Sequence, residues 1–133
     1  MDKEITYKGW IDLLVHSNTS EKSWMRKQVD THKRWKRKFV ILYSSAGHEE
    51  NPRLGAYDKE EENLLDLGEP KKLLLLHPFY RIHKRKDVKG RRDVVVVSDK
   101  NNDEWMMSDT SADIVDKWAS QVQAPLSSVI EIF

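Results

Sequence analysis

The segment HKRWKRKFVILY, residues 32–43, joins a cluster of five cations directly to an apolar stretch. The apolar residues alternate between two sides of an extended chain, with Phe39, Ile41 and Tyr43 on one side and Val40 and Leu42 on the other. Aromatic and β-branched residues in this pattern favour a strand. The segment therefore predicts a core strand whose entrance carries a dense positive charge.

Outward from this segment, the chain predicts a series of short strands with no helical pattern between them. The predicted strands cover residues 7–15, 35–43, 53–58, 71–76, 79–84, 93–98 and 104–107, and turns occupy 44–52, 87–92 and 99–103. This order is typical of an antiparallel sandwich or barrel. The expected fold class is mainly β, a seven-stranded antiparallel structure capped by one C-terminal helix.

The capping helix is predicted over residues 111–123, because Ile114, Val115, Trp118 and Val122 recur at spacings of three and four. Thr110 and Asp113 approximate a capping box at its start, and Pro125 is expected to stop it. Trp118 is expected to plug the open end of the barrel. One domain over residues 1–124 is predicted, with a tail at 125–133 that either packs back on it or leads into a following domain.

Composition restricts the chemistry available to the chain. It has 133 residues and no cysteine, which excludes disulfides and zinc–thiolate sites. The N-terminus lacks a signal-peptide pattern, and the apolar runs at 73–76 and 94–97 are far shorter than the roughly 20 residues that span a bilayer. These features predict a soluble domain in the cytoplasm.

A net charge of +1 conceals strong segregation. Residues 22–38 carry eight cations and one acid, and residues 81–92 carry seven cations and one acid. Between them, residues 49–69 carry eight acids and two cations. If the two basic blocks meet in space, the molecule is strongly polarised. The second basic block is expected to be a solvated hairpin that adds to the positive field.

The chain resembles a pleckstrin-homology (PH) domain over about residues 7–123. The resemblance depends on Gly9-Trp10-Ile11 in the first strand, the stretch WKRKFVIL at 35–42 in the second, and Trp118 in a terminal helix. It is most similar to the N-terminal PH domains of tyrosine-kinase docking proteins, the insulin-receptor-substrate, Dok and Gab groups. That likeness is carried by RLGAY at 53–57, IHKRKD at 82–87, and SDTSAD at 108–113 through Lys117-Trp118.

The resemblance implies a non-catalytic adaptor module that binds phosphoinositide headgroups and is recruited peripherally to the inner face of the plasma membrane. Receptor tyrosine kinase signalling proteins are implied as further partners, and neither a cofactor nor a nucleic acid is expected. Along the second strand, Lys36 and Lys38 point to one side and Arg37 to the other. The expected headgroup-binding residues are Lys36, Lys38, Arg34, Lys33, Lys22, Arg26 and Lys27. Trp24 and Met25, at the tip of the preceding loop, are expected to contact the membrane.

Three positions depart from the pattern of tightly binding PH domains. A further lysine usually follows the Gly-Trp pair, but the matching position falls near Asp12 or Leu13, and Asp12 would repel phosphate if it lined the site. Lys38 stands where an arginine is usual, which replaces a bidentate fork by a point charge. The third-strand tyrosine falls near Ala56, one residue short of Tyr57. These departures weigh against high-affinity, stereospecific binding.

Other functions remain open to different degrees. The five histidines show no metal-ligand spacing, and neither a glycine-rich phosphate loop nor a Gly-x-Ser-x-Gly elbow occurs, so catalysis is not expected. A protein-docking PH domain with weak or no lipid specificity is the main alternative, with residues 129–133 as a candidate apolar patch. Nucleic-acid binding is a third possible function, and the acidic block at residues 49–69 argues against it because it would repel the phosphate backbone.

Overall fold

A computed structural model of the chain describes residues 5–16, 34–43, 52–61, 66–76, 80–99 and 103–132, the last nine of these by their backbone alone. The described residues form seven strands and one helix. The strands are β1 (Ile5–His16), β2 (Lys36–Tyr43), β3 (Arg53–Tyr57), β4 (Lys72–Leu75), β5 (Arg81–Val88), β6 (Arg91–Ser98) and β7 (Glu104–Ser108), and the helix is α1 (Ala112–Ile132). The predicted fold class is confirmed.

All seven strands belong to one antiparallel sheet in the order β4-β3-β2-β1-β7-β6-β5. The long strand β1 lies at its centre and has two partners: residues 5–13 pair with β2 and residues 12–16 pair with β7. Because neighbouring strands also twist relative to one another, the sheet curls into a half-barrel. The C-terminal half of β1 and the N-terminal end of β2 therefore meet at one open end.

The main core lies between the concave side of this sheet and α1. Trp118 is 1% exposed and packs edge-on against Tyr7, with ring centroids 4.7 Å apart. The Tyr80 hydroxyl donates a hydrogen bond to the carbonyl oxygen of Val122, which fixes the helix against the sheet. Trp118 is a core residue, as its spacing predicts.

A second, smaller apolar cluster covers the convex side of the sheet. It contains Phe39, Ile41, Tyr43, Tyr57 and Leu67. Val40 and Leu42 belong to the main core, so the predicted alternation along β2 is confirmed and both sides of the strand are buried. A side chain at position 55 would crowd this layer, since a Cβ on Gly55 would lie 3.2 Å from the Tyr57 ring.

Two predicted boundaries are wrong. The helix does not stop at Pro125 but runs on to Ile132, although proline lacks a backbone donor and crowds the preceding turn. The predicted turn over 87–92 narrows to Lys89-Gly90, where both residues have positive φ, as a two-residue hairpin turn requires.

The helix start is also shifted by one residue from the predicted capping box. α1 begins at Ala112, so Ser111 rather than Thr110 directly precedes it. The Asp109 carboxylate accepts a hydrogen bond from the Ser111 amide at 3.0 Å and one from the Thr110 hydroxyl at 3.4 Å. The predicted capping box did not include this aspartate, which supplies polar contacts to the two residues before the helix.

The two edge strands differ in character. β5 exposes a row of charged residues, which discourages further strand pairing. β4 instead exposes Leu73 and Leu75, which are 49% and 41% accessible. Among the described residues, no helix has the length and apolar character needed to cross a bilayer.

Candidate functional site

A cavity of about 220 Å³ opens at the end of the half-barrel where β2 begins. Five cations line it: Arg34, Lys36, Lys38, Lys71 and Lys72. Three residues of β1, Leu13, Leu14 and Val15, complete the lining. In the part of the chain that the structure describes, the lining of this cation cavity holds five cations and no carboxylate, so its charge is positive.

Strand pairing explains why the β2 lysines face the cavity. Lys36 lies opposite Leu13, and Lys38 lies opposite Ile11, both of which belong to the concave side of the sheet. Side chains alternate along a strand, so the two lysines share this side. The prediction that they point the same way is confirmed, and the rigid β1–β2 ladder fixes their spacing.

Lys71 and Lys72 were not among the predicted site residues. The end of β3 pairs with the start of β2, and the start of β4 pairs with the end of β3, so β3 brings the start of β4, with Lys71 and Lys72, to the same end as the lysines of β2. In a run of antiparallel strands joined in sequence order, the starts of the first and third strands lie at the same end of the sheet. The sequence could therefore have placed Lys71 and Lys72 near the start of β2, but only if β2, β3 and β4 were known to be neighbours in the sheet.

Asp58 lies at the rim of the cation cavity, immediately after β3. Its carboxylate accepts a hydrogen bond from Lys38 Nζ and lies 3.9 Å from Lys71 Nζ. Tyr57 pairs with Phe39, and the two strands are antiparallel. Asp58, which follows Tyr57, therefore comes opposite Lys38, which precedes Phe39, and this explains their contact. The hydrogen bond from Lys38 lowers the pKa of Asp58, so the carboxylate is ionised at neutral pH.

Arg37 faces the opposite side of β2, as the alternation predicts. Its Nη1 lies 2.8 Å from Oδ2 of Asp109 and 3.5 Å from Oδ1 of Asp12. Asp12 is 8% exposed and also contacts Arg91. These four residues form an outer ion cluster: Asp12, Arg37, Arg91 and Asp109. The Asp12 carboxylate lies on the convex side and does not line the cavity, so the condition under which it would repel a phosphate is not met.

The two basic blocks meet at Trp35. The Trp35 indole donates a hydrogen bond to the carbonyl oxygen of Lys89 at 3.2 Å, and the Arg91 guanidinium lies 5.9 Å from the centre of the Trp35 ring. Several cations of the second block are held in ion pairs: Lys84 with Asp116, Lys86 with Asp93 and Arg91 with Asp12. The β5–β6 hairpin therefore packs beside the cation cavity without lining it.

The remaining predicted site residues have different outcomes. Arg34 lines the cation cavity together with Lys36 and Lys38. Lys22, Trp24, Met25, Arg26, Lys27 and Lys33 lie outside the described residues. Tyr57 faces the convex side, where its hydroxyl lies 2.7 Å from that of Tyr43, so it contributes nothing to the cavity. The described part of the chain contains no cluster of three or more acidic or histidine side chains arranged to hold a metal.

The architecture is consistent with a PH-like fold: a curled antiparallel sheet of seven strands followed by a C-terminal helix. The chain matches no protein-family model and no curated protein sequence.

Proposed function

We propose that this domain is a non-catalytic membrane-targeting module that binds inositol phosphate headgroups in the cation cavity. The observation that carries the proposal is the convergence of five cations, from β2, from β4 and from the residues just before each of these strands, on one cavity whose described lining contains no carboxylate. Several positive charges held by a rigid sheet suit a ligand that carries several phosphates on one small ring.

The lining also predicts how the ligand would be held. Four of the five cations are lysines, which act as compact point charges and do not form the planar forks that arginine offers. The apolar residues Leu13, Leu14 and Val15 provide a surface for the carbon skeleton of the ring. Such a site binds mainly by charge and responds strongly to salt.

A rough magnitude follows from the charge count. At about 1 kcal/mol for each cation near an anionic leaflet, five cations contribute roughly 5 kcal/mol. This corresponds to a Kd on the order of 0.1–1 mM, too weak for stable attachment. Additional contacts or a second membrane-binding part of a larger adaptor would raise the affinity through avidity. The likeness of several segments to docking-protein PH domains supports that setting and a receptor tyrosine kinase pathway.

The proposal is tested by sedimenting the domain with vesicles that contain PI(3,4,5)P3, PI(4,5)P2 or charge-matched phosphatidylserine, at low and physiological salt. We expect Lys36→Ala/Lys38→Ala to abolish binding. The matched control is Lys84→Ala/Lys117→Ala, which removes two exposed lysines away from the cavity. Equal losses in both double variants would reduce the site to a general positive field, and no sedimentation of the wild-type domain would overturn the proposal.

A second candidate, a protein-docking module, has its own supporting observation. Leu73 and Leu75 are exposed on edge strand β4, where an extended peptide could add to the sheet. The apolar patch predicted at residues 129–133 cannot support it, because those side chains lie outside the described part of the chain. Partner binding that is lost in Leu73→Ser/Leu75→Ser and is indifferent to vesicles would favour this function.

A further inference from the structure

Strand β4 is an open edge of the sheet on the side away from β3. Among the described residues, no strand pairs with this outer side. The Leu76 amide donates a hydrogen bond to the carbonyl oxygen of Pro52 at 2.9 Å, and the β3–β4 register continues from this pair. Because residues of an antiparallel strand bond alternately to one neighbour and the other, Leu74 and Leu76 bond toward β3. The backbone N–H and C=O groups of Leu73 and Leu75 therefore point outward from the sheet.

The side chains on the convex side of this edge are apolar, whereas native edge strands are usually guarded by charge. Leu73 and Leu75 are 49% and 41% accessible, and Leu74 between them is buried in the main core. Leu73 lies opposite Gly55, whose missing side chain leaves room for the Tyr57 ring. The two exposed leucines therefore lie beside the apolar layer of the convex side, where the side chains of an added strand would cover them.

The start of β4 carries positive charge. Lys71 and Lys72 are both exposed and belong to the five cations that line the cation cavity, and Asp58 at the rim offsets one charge of this group. A strand added antiparallel to β4 runs from Leu75 toward Lys71, so the residues that follow its apolar positions come opposite the two lysines. Acidic residues are favoured at those positions, because opposite charges across a strand pair stabilise it.

We propose that the β4 edge binds an extended segment of a partner protein, with apolar residues at two alternate positions followed directly by acidic residues. The apolar pair covers Leu73 and Leu75, the backbone continues the sheet, and the acidic residues pair with Lys72 and Lys71. The inference rests on the second candidate function, whose partner class it names, and does not require headgroup binding. A second copy of β4 fits less well, because Lys72 of each copy would lie opposite Leu76 of the other when Leu73 pairs with Leu75.

The test measures the fluorescence anisotropy of a labelled peptide whose central residues are valine, threonine, valine, glutamate and glutamate, in that order. A first control peptide carries glutamine in place of both glutamates. Two further peptides carry N-methyl groups, one on both valines and the other on the threonine between them. In the proposed register only the valine amides face β4, so only their methylation removes hydrogen bonds to the edge.

We expect Leu73→Ser/Leu75→Ser to weaken binding of the glutamate peptide about tenfold or more, because the apolar contact of both leucines is lost. Methylation of the valines should abolish binding, and methylation of the threonine should change it by less than about twofold. Lys72→Ala should weaken binding of the glutamate peptide about threefold and leave the glutamine peptide unchanged. Lys84→Ala removes an exposed lysine from the opposite edge strand and should change neither affinity. Thermal unfolding verifies that each variant is folded.

The possible failures are distinguishable from failure of headgroup binding. If the peptide with methylated valines binds as well as the unmodified peptide, strand addition at β4 is overturned. If Lys72→Ala weakens the glutamate and glutamine peptides equally, the acidic part of the partner class is overturned. If the wild-type domain binds none of the peptides, the whole inference is overturned, and vesicle sedimentation still decides headgroup binding separately. Dimerisation of the domain that is lost in Leu73→Ser/Leu75→Ser would assign the edge to a second copy and overturn the inference.

Discussion

Arg91 Nη2 lies 2.6 Å from Oδ2 of Asp12 and ties the start of β6 to the central strand β1. These strands are not neighbours in the sheet, because β7 lies between them. The same carboxylate approaches Arg37 of β2 on its other oxygen, at 3.5 Å. Asp12 thus joins three strands of the half-barrel from the convex side, directly behind the cation cavity.

Removal of Asp12 should destabilise the domain. The carboxylate is almost fully buried, and its loss leaves Arg37 and Arg91 without part of their counter-charge. Because Arg37 is half exposed, we expect a cost of about 2 kcal/mol for Asp12→Ala, below the 3–5 kcal/mol typical of a fully buried pair. The urea midpoint measures this.

The control for Asp12→Ala is Asp116→Ala, which breaks the exposed ion pair with Lys84. Both partners of that pair are more than 60% exposed, so a cost below about 0.5 kcal/mol is expected. Equal destabilisation by the two substitutions would contradict the role assigned to the outer ion cluster.

Asp109 should make the domain sensitive to acid. Burial opposes ionisation of Asp109, but the hydrogen bonds from the Ser111 amide and the Arg37 guanidinium outweigh it and lower its pKa. The unfolded chain therefore binds a proton at a higher pH than the folded chain. The resulting stability is present above the unfolded pKa of about 4 and is lost as pH falls through the folded pKa.

Urea midpoints measured from pH 6 to pH 2 would reveal this contribution. Asp109→Asn should start from a lower midpoint at pH 6 and lose less stability on acidification than wild type. Asp66→Asn provides a control for the general loss of one acidic charge. If the urea midpoints of wild type and Asp109→Asn fell in parallel with pH, Asp109 would not contribute to the acid sensitivity.

Alkaline conditions should destabilise the domain through two buried tyrosines. Burial raises the pKa of Tyr43, helped by the hydrogen bond shared with Tyr57, and burial also raises the pKa of Tyr80. The neutral phenols are therefore favoured in the folded state, and stability should be constant below about pH 10 and fall as pH rises further.

Tyr43→Phe and Tyr80→Phe separate this effect from the loss of a hydrogen bond. Each substitution should cost about 1 kcal/mol at pH 8. Each should also flatten the decline of the urea midpoint between pH 9 and pH 11. A decline as steep as that of wild type in both variants would mean that other groups cause the alkaline loss.

Packing on the two sides of the sheet should respond unequally to truncation. Trp118→Ala removes a fully buried ring between α1 and the concave side, and a loss of about 3–5 kcal/mol is expected. Leu73→Ala removes a half-exposed side chain on β4, and a change within about 0.5 kcal/mol is expected. If Leu73→Ala were costly in thermal unfolding, β4 would be covered in solution.

Local patterns were sufficient to predict the number and order of the strands and the helix. The alternation of Phe39 to Tyr43 and the helical spacing around Trp118 depend only on neighbouring residues, and both predictions are confirmed. Whether the helix ends at Pro125 could not be predicted in the same way. A proline changes the local cost of a helix without fixing whether the helix continues.

The candidate site was predicted only in part for a related reason. Lys36 and Lys38 were predicted because they lie within the basic segment 32–43 and on one side of a single strand. Lys71, Lys72 and Asp58 reach the cavity through the pairing of three strands, and pairing depends on loop geometry that short-range patterns do not reveal. Whether Asp12 lined the site stayed open in the sequence analysis, because a residue can be assigned to a strand before its side is known.

The stretch Lys36-Arg37-Lys38 has a consequence for how insertions would act on this protein. Two of its charges serve the cavity and the third holds the outer ion cluster, and they differ only in the side of β2 they occupy. A single residue inserted before Phe39 would leave composition and net charge almost unchanged. It would nevertheless turn Arg37 inward and both lysines toward Asp12 and Asp109. What this strand must preserve is the side of the sheet that each cation faces, rather than the amount of positive charge.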